Sequence, residues 1–182
     1  METKELDITS HDSIIIDFDT EAAMIRAKEA VSTVMKVIKN RPEPLIIKGK
    51  QYMEYQDWRL LALYFGITTR IDNVTEMNEV CEYTDPNSGI TGNRIKFIGF
   101  TVEASALRDG KPLTTSNAEC TRHEKNWISK DRFQIREMAT IRAKRSALKD
   151  VLRWVFSMAS LDMPEIDNLE VDADPENERG LF

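Results

Sequence analysis

From Asp131 to Ser160 the apolar residues return at a helical interval. On a wheel of about 100° per residue, Met138, Ile141, Leu148, Leu152, Val155 and Ala159 share one face. A helix that long, with one apolar stripe, must cover something. What precedes it says what. Residues 67–83, ITTRIDNVTEMNEVCEY, are β-branched and roughly alternating, which predicts one or two strands. RIKFIGFTVEASALR reads as a further strand, Asp109-Gly110 as a tight turn, and KPLTTSNAECTRHE as the returning strand. The strands arrive as a block and do not alternate with helices. The expected fold class is therefore α+β, an antiparallel hairpin or sheet packed on the long helix, and not a parallel doubly wound sheet.

The first third of the chain predicts two more helices. Met24, Ala27, Val31, Val34, Met35 and Ile38 space a helix over residues 21–40, with Thr20 as its N-cap and Pro42 and Pro44 ending it. Ile46, Ile47, a Lys-Gly-Lys turn, Tyr52 and Met53 suggest a short hairpin. Trp58, Leu61, Ala62 and Phe65 then share a helical face, and Gly66 stands where a C-terminal cap belongs. Residues 84–93, with Pro86, Gly89 and Gly92, read as a loop. Residues 124–132 read as a connector, with Ser129 as the cap of the long helix.

Charge divides the chain more sharply than apolarity does. The formal net charge is −6, yet residues 21–160 hold 17 acids and 23 bases. Residues 1–20 hold six acids and one base, and residues 161–182 hold eight acids and one base. The expected organisation is an acidic arm (1–19), one α+β domain (20–160) and an acidic tail (161–182). The tail is poor in large apolar groups and is expected to be disordered. No run approaches the ~20 apolar residues that span a bilayer. The N-terminal residues lack the basic start and apolar run of a signal peptide, so a cytoplasmic location with no membrane partner is expected.

Catalytic signatures are lacking in the sequence. There is no Walker loop, no G-x-G-x-x-G and no nucleophile elbow. Cys120-x-x-His123 has metal-like spacing, but Cys81 and His11 are the sole remaining Cys and His, and a structural zinc needs four ligands. Free thiols are expected for both cysteines. Asp17, Asp19 and Glu21 suit a helix start better than a Mg²⁺ site. The sequence points to a non-enzyme with no cofactor and no metal.

The cations are a better guide. Arg142, Arg145, Lys149 and Arg153 follow one another at steps of three, four and four, a second stripe beside the apolar one. Glu137 and Asp150 neutralise little of it. Such a stripe is often only a solvated face whose stems cover apolar surface. A polyanion backbone is the other natural partner, because each cation can replace a condensed counterion. Lys48 and Lys50 at the hairpin turn, Arg94 and Lys96 at a strand start, and Lys125, Lys130 and Arg132 before the helix add to the positive set. Tyr52, Tyr55 and Trp127 lie among them, and aromatics beside cations suit single strands, on which bases can stack. Trp58 and Trp154 read as core.

Two stretches carry a resemblance. KGKQYMEYQDWRLLALYFGI (48–67) is similar to a segment of phage-type single-strand annealing proteins. AECTRHEKNW, followed by FQIREMATIRAKRSALKDVLRWVFSMA, resembles their C-terminal block. The matching positions are Cys120, Glu124, Lys125 and Trp127, then Met138, Ala139, Arg142, Ala143, Ala147, Leu148, Lys149 and Trp154. The group is that of the Erf, Sak and Rad-type recombination annealing proteins. The chain departs from it where the family helix often ends in Ala-Gly-Tyr, having Met158-Ala159-Ser160 instead.

The resemblance implies a β-β-β-α core after a leading helix, assembly as a homo-oligomer in rings or filaments, and a basic groove. That groove holds single-stranded DNA by its backbone so that a complementary strand can pair. It implies DNA contacts at Arg142, Arg145 and Lys149, with a structural role for Arg142 as the alternative. A different reading is an interaction module that binds a protein partner through its acidic ends. Under the annealing reading the tail could compete with DNA for the groove or meet a replication or recombination protein.

Overall fold

The computed structural model describes residues 20–42, 46–47, 50–87 and 89–159. The acidic arm and the acidic tail lie outside the described residues.

The helical period of the first segment produces α1, Thr20–Lys39, which buries Ala27, Ala30, Val31, Val34 and Ile38. Thr20 is its first helical residue, not a cap outside it. The short hairpin pairs β1 (Ile46–Ile47) with β2 (Lys50–Gln51), antiparallel. In α2, Tyr55–Tyr64, Trp58, Leu61 and Ala62 turn inward. Phe65 and Gly66 end it, and Gly66 takes a φ of 64°, a conformation glycine adopts without steric cost. Arg41, just past α1, ties the two helices together. Its guanidinium bonds Glu54, and Asp57 Oδ1 at 2.5 Å, while Asp57 Oδ2 accepts the Glu54 backbone N–H at 2.8 Å. Asp57 is buried, so this cation is what lets its carboxylate sit there.

The middle of the chain is one antiparallel sheet in the order β3-β4-β5, with β3 at Ile67–Thr84, β4 at Thr91–Arg108 and β5 at Lys111–Thr121. Asp109 and Gly110 both have positive φ, 52° and 76°, the turn whose twist suits a two-residue hairpin. The loop expected over 84–93 is shorter, since the β3–β4 ladder continues to Thr84↔Thr91. A long C-terminal helix, α3 at Arg132–Met158, lies across the sheet, preceded by a 3-10 turn at Lys125–Trp127. Its N-cap is Asp131, not Ser129, in a capping box with Gln134. The fold is thus α+β: a leading helix, a three-stranded antiparallel sheet and a long closing helix. Among the described residues no helix is long and apolar enough to cross a membrane.

Period-two alternation decides the sheet's faces. Phe100, Val102, Ala104 and Ala106 of β4 are buried on the α3 side. Thr101, Glu103 and Ser105, with Glu119, Asn117 and Thr115 respectively opposite them in the β4–β5 ladder, line the other face. That face is polar, as an antiparallel sheet covered on one side should be. Ser105 is buried there and shares its hydroxyl with Thr115 Oγ1 at 2.8 Å and with the Asp72 carboxylate, which sits at a bulge in β3.

Two apolar clusters result, and α3 belongs to both. Its first half sets Ile135, Met138, Ala139 and Ala143 against Phe100, Val102, Ala104, Cys120 and Trp127. Its second half sets Leu148, Leu152, Val155 and Phe156 against α1 and α2, with Trp58 edge-on to Phe156 at 5.8 Å. The buried stripe differs from the expected one. Ile141 is half-buried, and Ala139, Ala143 and Ala147 are fully buried instead. Small side chains allow the helix to lie close on the sheet, so the contact line follows the alanines.

The sheet changes character at Ile98. Met77 pairs with Gly99, but Asn78 pairs with Phe97, so Ile98 is an extra residue in β4. The Arg122 N–H donates to Ile98 O at 2.7 Å, where β5 stops following its neighbour. Gly99 is required at that point. A Cβ there would stand 2.3 Å from the Cys120 carbonyl oxygen and 2.9 Å from Thr121 Cα. Beyond the bulge β3 and β4 continue without β5, as a two-stranded ribbon made of residues 78–84 and 91–97.

Candidate nucleic-acid interface

The basic stripe of α3 sits beside the free edge of β5. Two contacts fix this. Arg142 Nη1 donates to Glu119 O at 2.8 Å, and Ser116 Oγ donates to Asp150 Oδ2 at 2.7 Å. Among the described residues β5 pairs with β4 alone, so its other edge carries no strand. An open groove of about 440 Å³ at β5 is lined by Glu103, Thr115 and Asn117 of the polar face together with Ser116 and Ser146. Arg145 and Lys149 are half-buried on α3, and Arg153 is exposed one turn further on. Each of the three is engaged in an interaction within the chain.

Arg142 is different in kind. Besides Glu119 O it grips Glu124 in a fork, Nη1 to Oε1 at 2.9 Å and Nη2 to Oε2 at 2.6 Å. Glu124 also accepts the Thr121 backbone N–H at 2.9 Å. A two-pronged guanidinium–carboxylate pair of this sort is among the stronger polar contacts a protein makes. It pins the turn after β5 to the helix. The structural alternative left open for Arg142 is the role its geometry describes.

Partial burial pushes the Glu124 carboxyl toward neutrality. The hydrogen bond from Arg142, the Thr121 N–H, the Arg142 charge and a hydrogen bond from the Cys120 thiol outweigh it, and the carboxyl is held below its ordinary value of 4.5. A depressed carboxylate stabilises the fold above the unfolded-state value. That contribution is lost as pH falls through the lower folded-state value. We expect Glu124→Gln to flatten the acid limb of the stability curve below pH 4.5. Urea unfolding at stepped pH measures this, and an acid limb as steep as that of the wild type would count against the clamp.

The remaining sequence candidates fall into three sets. Lys48 lies outside the described residues, and Lys50 is on β2. Tyr52 is a correction: its side chain is 7% exposed, so it has no face to offer a base. Trp127 is buried in the sheet cluster, and Tyr55 is half-buried, its ring 5.7 Å from the Arg59 guanidinium carbon. These aromatics stand among cations in sequence because the chain turns inward there, not because they line a surface.

Lys96 and Arg132 stand at the root of the ribbon, whereas Arg94 lies further out, opposite Cys81, and Lys125 is in the turn after β5. Arg132 pairs with Glu76 and lies over the Phe97 ring at 4.4 Å, while Arg122 approaches the same ring at 5.4 Å. Lys96 Nζ is 3.3 Å from Glu79, and His123 Nε2 is 3.3 Å from the other oxygen of that carboxylate. His123 adjoins Glu124 in sequence, so the ribbon root and the α3 clamp meet at the turn after β5. Lys125 is exposed on the same turn. The Cys120-x-x-His123 pair does not converge, since Cys120 is fully buried and the His123 side chain is 62% exposed. Among the described residues no group of three or more His, Cys, Asp or Glu could hold a metal ion.

Trp154, expected in the core, is instead 41% exposed, its ring edge-on to Phe65 at 5.7 Å. Among the exposed aromatics that the sequence does not single out, one has a cation over its ring. Tyr83, near the far end of β3, has the Arg94 guanidinium carbon 4.8 Å from its ring centroid. Only the strand register makes them neighbours, and sequence spacing gave no sign of it. A scan of protein-family models finds no match to this chain, and searches of curated proteins and of solved structures return no relative.

Proposed function

We propose that this protein binds single-stranded DNA along the basic flank of α3 and the ribbon root, and that it promotes annealing of complementary strands as a homo-oligomer. The observation that carries the reading is the stripe of Arg145, Lys149 and Arg153 on α3, the helix that Arg142 and Asp150 tie to the polar strand β5. A phosphate backbone seated there takes over the contacts these side chains now make within the chain. The nearby groove at β5 offers hydroxyl and amide groups of Thr115, Ser116, Asn117 and Ser146, which suit phosphate and sugar better than base edges, and one acid, Glu103, from which a phosphate would keep its distance. That is the chemistry annealing needs, because contacts to base edges would select one sequence and obstruct pairing.

No covalent step is required of such a protein. Its work is to concentrate two strands and hold their bases available. Several modest phosphate contacts per subunit become strong when repeated along one strand by an assembly. Among the described residues no further strand pairs with the outer edges of β3 and β5, which assembly could cover. The resemblance to Erf, Sak and Rad-type annealing proteins, carried by residues 118–127 and 133–159, supports the same reading. The expected cytoplasmic location and a partner for the acidic tail belong to this proposal as well.

The test uses two complementary fluorescent oligonucleotides and the full chain. We expect faster annealing with protein than without, and single-strand affinity that falls linearly with salt on logarithmic axes, as counterion release requires. No acceleration, together with no single-strand binding at low salt, overturns the reading. It would leave an interaction module that works through its acidic ends.

A further inference from the structure

The ribbon has two faces of opposite character, and the strand register assigns every residue to one of them. Val80 lies opposite Ile95, and both are more than two-thirds exposed. Glu79 lies opposite Lys96, Cys81 opposite Arg94 and Tyr83 opposite Gly92, all on the other face. The second face therefore carries Arg94, Lys96 and Tyr83 against one acid, Glu79, which is shared between Lys96 and His123.

Tyr83 is the residue that needs an explanation. It is 41% exposed, at the end of the ribbon away from either apolar cluster. Its direct cross-strand neighbour is Gly92, which has no side chain to lay against it, and a Cβ built there would meet nothing within 4 Å. The diagonal neighbour Arg94 lies over the ring and keeps its guanidinium within reach of a phosphate. A core role does not account for an aromatic ring left open beside a glycine with an arginine over it.

We infer that Tyr83 and Arg94 form a base-stacking subsite for single-stranded nucleic acid on the ribbon, distinct from the phosphate rim of α3. The inference rests on the DNA-binding reading given above. The ring takes the face of one nucleobase, while Arg94 and Lys96 take the neighbouring phosphates. Stacking engages the flat face of a base and leaves its pairing edge free, so the subsite is compatible with annealing and indifferent to sequence. It also gives the ribbon a purpose: to carry a second point of attachment outward from the body, so that a strand is held at both ends of the turn after β5.

The experiment compares an oligothymidylate with an abasic oligonucleotide of equal length, which has the same phosphates and no bases. Binding is read by fluorescence anisotropy for the full chain and for Tyr83→Ala and Tyr83→Phe. We expect wild type to prefer the oligothymidylate by about tenfold, Tyr83→Phe to keep that ratio, and Tyr83→Ala to bring it near unity with abasic affinity unchanged. An unchanged ratio in Tyr83→Ala overturns the subsite. Equal weakening of both ligands also overturns it, since the ring would then serve only the ribbon's structure. A wild-type ratio of unity overturns the subsite but leaves the phosphate rim standing. If wild type binds neither ligand, the DNA reading itself fails and takes the subsite with it.

Discussion

Replacing Arg145 and Lys149 together by glutamate is expected to weaken single-strand binding by about a hundredfold at low salt and to abolish accelerated annealing. Two cations that attract phosphate become two anions that repel it, on one flank of α3. The logarithmic salt slope should also become shallower by about one and a half, since each phosphate contact to a single strand contributes roughly 0.7. The fold should survive. Both side chains sit on a flank, and neither belongs to the buried clusters. Circular dichroism and thermal melting check that. A charge-matched control, Arg26→Glu with Lys28→Glu on the exposed surface of α1, changes the net charge equally and should leave affinity within about twofold, because screening confines the effect to nearby charges. Loss of binding in both pairs would mean that only net charge matters. Retention in the α3 pair would move the interface elsewhere.

Arg142 should behave in the opposite way. Arg142→Ala leaves Glu124 half-buried without its fork and removes a donor from Glu119 O, at a cost of about 2 kcal/mol. Glu124→Ala should cost a similar amount. The double variant should cost little more than either alone, because the two share one interaction. For a chain of this size the single losses correspond to a fall in melting temperature of about 4–8 °C. Arg142→Lys separates the clamp from a phosphate contact. It keeps the charge and loses the planar fork, so stability should drop while single-strand affinity holds. Falling affinity with unchanged stability would restore Arg142 to the DNA-binding set.

The contrast between these arginines shows where sequence stops informing. Residues 142, 145 and 149 lie on one helical stripe and look alike from spacing alone. The difference comes from Glu124, eighteen positions earlier, which only the turn after β5 brings into reach. The same holds for the aromatics. Tyr52 and Trp127 stand among lysines in the chain and point into the core, whereas Tyr83 finds its arginine only through the β3–β4 register. What could be read in advance was local: the Asp109-Gly110 turn, Gly66 at the end of α2, the helical periods and the grouping of the strands. The Ile98 bulge left no local sign, because the extra residue exists only relative to a partner strand. Alanines 139, 143 and 147 were passed over on the wheel because a search for large apolar groups ignores the small residues that let two elements come close.

Of the described α-helices, α3 alone packs into both apolar clusters, and this has a consequence for how the chain reaches its native state during synthesis. While residues 20–121 emerge from the ribosome, α1 and α2 can touch each other and the strands can pair, yet neither set has the surface that closes it. The sheet waits with its apolar side uncovered until Ile135 to Ala143 arrive, and the helical pair waits for Leu148 to Phe156. Folding is therefore held back until α3 has been made, and completes both halves in a single docking event. A nascent chain stalled before residue 132 should be a ready client for chaperones that recognise exposed strands.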